Sequence, residues 1–102
     1  MNKVVKFGGS SLADATQFKK VANIINSDKS RRFVVPSAPG KRFKEDTKVT
    51  DLLYQAYNAK DQDTFKKTFD LIKKRYQDII DELKLDCSLD KLFEVIEKAF
   101  ID

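Results

Sequence analysis

The chain has 102 residues, 41% of them hydrophobic and 35% charged, with a formal charge of +4. That length allows one domain at most, no apolar run nears the roughly 20 residues that span a membrane, and no apolar segment follows Lys3 and Lys6 to make a signal peptide, so the cytoplasm is the expected location. A single cysteine and no histidine exclude an internal disulfide, Cys/His zinc sites and imidazole-based catalysis.

Residues 2–7 read as a strand. Val4, Val5 and Phe7 carry the propensity, and the near-continuous apolar character predicts a buried parallel strand. Gly8 and Gly9 follow, where the backbone must turn sharply or where something must approach it closely. Ser10 or Ser11 is expected to cap the helix that comes next. The N–H groups and positive dipole end of that helix suit an anion such as phosphate, and Lys6 adds a mobile charge at the same mouth. The run lacks GxxxxGK[ST] and GxGxxG. On the residues alone, a phosphate site and a plain glycine turn with a solvated Lys6 remain equal alternatives.

From about 14 to 27 the pattern is helical, with Phe18, Val21, Ala22, Ile24 and Ile25 on one face and Asp14 near the start. A turn cluster at 26–30 leads to a second strand at 32–35. Strand, helix and strand in about thirty residues make a right-handed βαβ unit with parallel strands. Both strands then end on one sheet edge, where ligands collect in open α/β folds. The loops at Gly8-Gly9 and at Ser37-Ala38-Pro39-Gly40 are therefore expected to be neighbours. Every glycine and proline of the chain lies between Gly8 and Gly40.

Residues 41–48 read as a charged, mobile loop, in which Lys41, Arg42 and Lys44 sit beside Glu45 and Asp46. It closes over an anionic ligand or is simply solvated. Thr50 or Thr47 starts a helix to about 58, with Leu52, Leu53, Ala56 and Tyr57 on one side. A longer helix runs from 61 to about 83, its face made by Phe65, Phe69, Ile72, Tyr76, Ile79, Ile80 and Leu83. Ser88 caps a last helix that buries Leu89, Leu92, Phe93, Ile96 and Phe100. This aromatic spacing indicates core rather than cofactor contact. The lysine pairs at 19–20, 66–67 and 73–74 alternate with acids on solvent faces, so no basic face points to nucleic acid. Cys87 reads as an inert turn residue.

Lys6-Phe7-Gly8-Gly9-Ser10-Ser11-Leu12, followed by Ala13-Asp14, resembles the N-terminal signature of aspartate kinases in the amino acid kinase superfamily. Val35-Pro36-Ser37-Ala38-Pro39-Gly40 with Lys48-Val49-Thr50-Asp51-Leu52-Leu53 resembles a second segment of that family. Pro36 departs from its pattern, since it cannot donate to a ladder and should lie at an edge or outside the pairing.

The resemblance implies an α/β fold: an N-terminal βαβ unit with ligand loops (1–40), then a charged loop and helices (41–102), part of a three-layer αβα sandwich. It implies transfer of the ATP γ-phosphoryl group to the side-chain carboxylate of L-aspartate, with Mg²⁺ in the nucleotide complex. Lys6 would be catalytic and, with Gly8, Gly9 and Ser10, would hold the ATP phosphates. Ser37 and Thr50 would hold aspartate; without the resemblance they are ordinary turn and N-cap residues. The family's His-Gly-Glu motif and nucleotide-binding half have no counterpart here, so the chain is expected to be an inactive N-terminal fragment. Its two strands make a poor sheet alone, which predicts self-association or a swapped dimer. The competing readings are a non-catalytic helical interaction module and an amino acid kinase acting on glutamate, acetylglutamate or UMP.

Overall fold

The computed structural model describes residues 2–101, and of residue 101 the backbone alone. The chain divides into two compact units, Met1–Thr50 and Asp51–Asp102. The loop at 41–48 thus belongs with the first unit. Its far end is tied back by the Val49 N–H, which donates to the Pro39 carbonyl at 3.0 Å.

In the first unit, β1 (Lys3–Phe7) and β2 (Arg31–Pro36) pair in parallel, joined by α1 (Ala15–Asn26). The register sets Val4 opposite Phe33, Val5 opposite Val34, Lys6 opposite Val35 and Phe7 opposite Pro36. Alternation then makes two faces. Val5, Phe7 and Val34 form the more protected one, while Val4, Lys6, Phe33 and Val35 form an open one, with Val4 70% and Phe33 55% exposed. The expectation of a buried parallel strand is therefore corrected. Apolar sequence makes a strand, but burial needs layers on both faces, and this unit supplies one crossover helix.

The helix cap also differs from expectation. A short 3₁₀ turn, Gly9–Leu12, follows the glycines, and α1 begins only at Ala15. Asp14 is its cap, accepting from the Gln17 N–H at 3.0 Å; neither Ser10 nor Ser11 caps it. A cap of this kind is worth about 1 kcal/mol. At the other end Asp28 gathers three donors: the Lys3 ammonium at 2.8 Å and the Ser30 N–H and hydroxyl at 2.9 and 2.6 Å. This knot fixes the turn before β2 against the start of β1.

Pro36 ends β2 without cost to the ladder. Ser37 donates its N–H to the Phe7 carbonyl at 3.0 Å. Alternate N–H groups point to opposite edges of a strand, so the nitrogen of Pro36 faces the outer edge of β2.

In the second unit, α3 (Gln62–Glu82) packs against α4 (Asp90–Ile101), after α2 (Val49–Tyr57) has led out of the first unit. Asp61 caps α3, accepting from the Thr64 N–H at 2.7 Å. The core is aromatic. Phe65 stacks on Phe69 at 5.6 Å, Phe100 lies 5.5 Å from Phe65, and Phe93 meets Phe69 edge-on at 6.1 Å. Such pairs contribute about 0.5–1.5 kcal/mol each beyond burial. Ser88 accepts from the Asp90 N–H at the start of α4. Leu92, expected to be buried, is 53% exposed, and Tyr57, grouped with Leu52 and Ala56 on one side of α2, is 76% exposed. Arg75 on α3 is buried. Among the described residues no helix is long and apolar enough to cross a membrane.

Candidate functional site

The two strands deliver their loops to one edge. The Gly40 N–H donates to the Gly9 carbonyl at 2.8 Å, and Ser37 is held to Phe7 as above. The approach is close enough to require glycine. A Cβ on Gly40 would lie 2.7 Å from the Gly9 carbonyl carbon, and one on Gly9 would lie 3.0 Å from the Ala38 oxygen. Gly8 is different: it has an extended backbone, with φ −75° and ψ 174°, and no atom within 4 Å of its notional Cβ. So of the two reasons for adjacent glycines, close approach applies at Gly9, and no sharp turn demands Gly8.

The loops enclose a cleft of about 460 Å³. Gly9 and Ser10 line one wall, and Ser37, Ala38, Pro39 and Gly40 line another. Lys41, Lys48 and Thr50 complete it. Four of the six residues expected at a site, Gly9, Ser10, Ser37 and Thr50, are therefore brought together. Lys6 and Gly8 do not line the cleft. The strand's alternation carries the Lys6 side chain to the open sheet face, beside Val4 and Val35. Thr50 is the second residue of α2 rather than its cap.

The charged loop carries an internal clamp. Arg42 grips Asp46 with two side-chain bonds, Nε at 2.6 Å and Nη2 at 3.0 Å, and its backbone N–H adds a third at 3.0 Å. The guanidinium beside Asp46 holds that carboxyl well below the usual carboxylate range. This internal clamp takes up Arg42 and Asp46, while Lys41 and Lys48, at the two ends of the loop, face the cleft. Sequence reading missed Lys48. It stands one residue before α2, where a cation opposes the helix dipole, and that misfit was the available signal.

Chemically the cleft offers amides, three hydroxyls and two ammoniums. No carboxylate lines it. The Gly9 and Ser10 N–H groups have no partner among the described residues. The arrangement suits an anion. It does not suit a divalent cation, and no cluster of three or more metal-ligating side chains exists among the described residues.

Residues 1–97 match the model of the amino acid kinase family. Aspartokinase 3 of Bacillus subtilis is 46% identical over 93% of this chain, which covers 22% of that relative. The crystal structure of Clostridium acetobutylicum aspartate kinase superposes with a TM-score of 0.86 at 48% identity, over 95% of this chain and 23% of that one. Aspartokinase III of E. coli, solved in complex with aspartate and ADP, gives 0.71 at 27% identity, over 98% of this chain and 20% of its own. The chain thus spans about a fifth of the length of these relatives. The parallel β1–β2 pair with its helices is the α/β arrangement they share.

Proposed function

Because this chain belongs to the amino acid kinase family, we propose that it forms the first part of an aspartate kinase catalytic domain, residues 1–40 supplying the ligand loops and 41–102 the charged loop and helices. The reaction is transfer of the γ-phosphoryl group of ATP to the side-chain carboxylate of L-aspartate. A carboxylate oxygen forms the new bond to the γ-phosphorus, the bond from that phosphorus to the β,γ-bridging oxygen breaks, and ADP leaves with its electron pair. The product is 4-phospho-L-aspartate.

The observation that carries this reading is the pairing of the two loops into one anion-suited cleft at the strand ends. A carboxylate nucleophile has no proton to lose, so the site needs no general base, and a cleft lined by neither imidazole nor carboxylate is adequate. What the transfer needs is positioning and charge neutralisation. Gly8, Gly9 and Ser10 offer backbone N–H groups to phosphoryl oxygens. Ser37 and Thr50 hold the acceptor, Thr50 at the start of a helix whose dipole favours a carboxylate. Lys6 does not line this cleft, and its assignment to the transferring phosphoryl group rests on the resemblance of its motif alone. Mg²⁺ belongs to the nucleotide as substrate, and no described cluster of this chain holds it. The setting is cytoplasmic, where ATP is available, and the chain works as a homo-oligomer.

Calorimetry of the chain with ATP and Mg²⁺ tests this. Weak binding that disappears in Lys6→Ala is expected. No binding in the native chain would favour the non-catalytic helical module, and equal binding by both would remove Lys6 from the site.

A further inference from the structure

We propose that Lys48, with Lys41, reads the second negative charge of the acceptor, and so makes this cleft prefer a dicarboxylic amino acid to its monocarboxylic amide. This inference rests on the acceptor-site reading above and adds to it a residue-level cause of specificity.

Three observations carry it. First, both lysines line the cleft beside Ser37 and Thr50, and no acid lines it with them. Two cations therefore face one small space without internal neutralisation. Second, neither ammonium is in an ion pair among the described residues, although the loop between them is rich in charge. Asp46, an acid of the loop between them, has both oxygens engaged by Arg42. The same clamp, with the bond from Val49 to Pro39, fixes the ends of the loop that carry the two lysines. Third, Lys48 stands against the dipole of α2, where an acid or a hydroxyl is the stabilising choice. A locally unfavourable residue at the rim of a ligand cleft is expected where function outweighs stability. A bound carboxylate turns the misfit into a favourable triangle of ammonium, Thr50 hydroxyl and helix N–H groups. Lys6, on the open sheet face, is not placed to do this.

The test is a ¹⁵N NMR titration of the full chain with L-aspartate and, separately, with L-asparagine. The native chain is expected to show shifts at residues 9–10, 37–41 and 48–50, to prefer aspartate, and to lose that preference as salt is raised. Lys48→Gln should weaken aspartate binding about tenfold and leave asparagine binding unchanged, with Lys48→Arg restoring most of the loss. Lys41→Gln should act in the same direction. The melting temperature of Lys48→Gln should hold or rise, because the cation no longer opposes the helix, which separates lost recognition from lost folding. If Lys48→Gln binds aspartate as well as the native chain, this proposal is overturned and the acceptor site stands. If aspartate moves none of these amides in the native chain, the acceptor site and this proposal fall together.

Discussion

The Gly40 N–H reaches the Gly9 carbonyl at 2.8 Å, so two loops far apart in sequence are joined by a single backbone hydrogen bond. The bond exists only because neither residue carries a Cβ. Gly40→Ala would press a methyl carbon to 2.7–3.0 Å from rigid backbone atoms of Gly9 and Ser10. Overpacking of that kind costs about 1–3 kcal/mol. Gly8→Ala meets open space at an ordinary extended backbone, and should stabilise by about 0.4–1 kcal/mol through the unfolded chain. Urea denaturation of the two variants should show opposite signs. Equal losses would mean that the loops are not in this contact.

Lys84 offers a second measurement. It has φ 56°, and it directly follows Leu83, the C-terminal cap of α3. Its N–H bonds the Asp81 carbonyl at 3.1 Å, and the Leu85 N–H bonds the Ile80 carbonyl at 3.0 Å. This double closure normally uses glycine, since a side chain is strained in the left-handed region. Lys84→Gly should stabilise by about 0.5–1 kcal/mol, raising the melting temperature by a few degrees. Lys84→Val should lower it.

Acid should destabilise the protein in a defined window. Asp28, held by the Lys3 ammonium and then by Ser30, has its carboxyl pulled below its ordinary value of 3.8. Asp46 is lowered chiefly by Arg42, and Asp61 chiefly by the Thr64 N–H. A carboxyl depressed in the folded state contributes its stability above the unfolded value, and loses it as pH falls toward the folded one. Thermal melts should therefore be flat from about pH 7 to 5 and decline below about pH 4. The chain has no histidine to add a step between. Asp28→Asn should flatten part of the decline. A melting temperature that holds steady to pH 2.5 would contradict these contacts.

The open sheet face predicts association. Val4, Phe33 and Val35 are 70%, 55% and 48% exposed on one side of a two-stranded sheet. Contiguous apolar surface of this kind is normally covered. Light scattering should show concentration-dependent oligomers, and Phe33→Lys should reduce them. A monodisperse monomer across the concentration range would remove this expectation.

Much of this molecule is legible in the residues themselves. The strand–helix–strand order, the shared edge for both glycine loops and the aromatic seam of α3 and α4 follow from period and punctuation. Four features do not. Ser10, Ser11 and Asp14 are all good caps, and only the 3₁₀ turn decides for Asp14. The loop at 41–48 is dense with charge, and only its fold shows that Arg42 pairs with Asp46 while Lys41 turns to the cleft. Lys6 is next to the glycines in sequence, yet strand alternation sends it to the opposite business of a sheet face. Arg75 sits within a mostly apolar helical stripe that also holds Thr68, and it is buried, against the habit of its residue type.

The nitrogen of Pro36, aimed outward from β2, has one more effect. Any strand recruited alongside would find a donor at Val34, since the Arg32 N–H already bonds the Ser30 carbonyl, and none at the last rung. Pairing along that edge would therefore be weakest at the rung nearest the cleft.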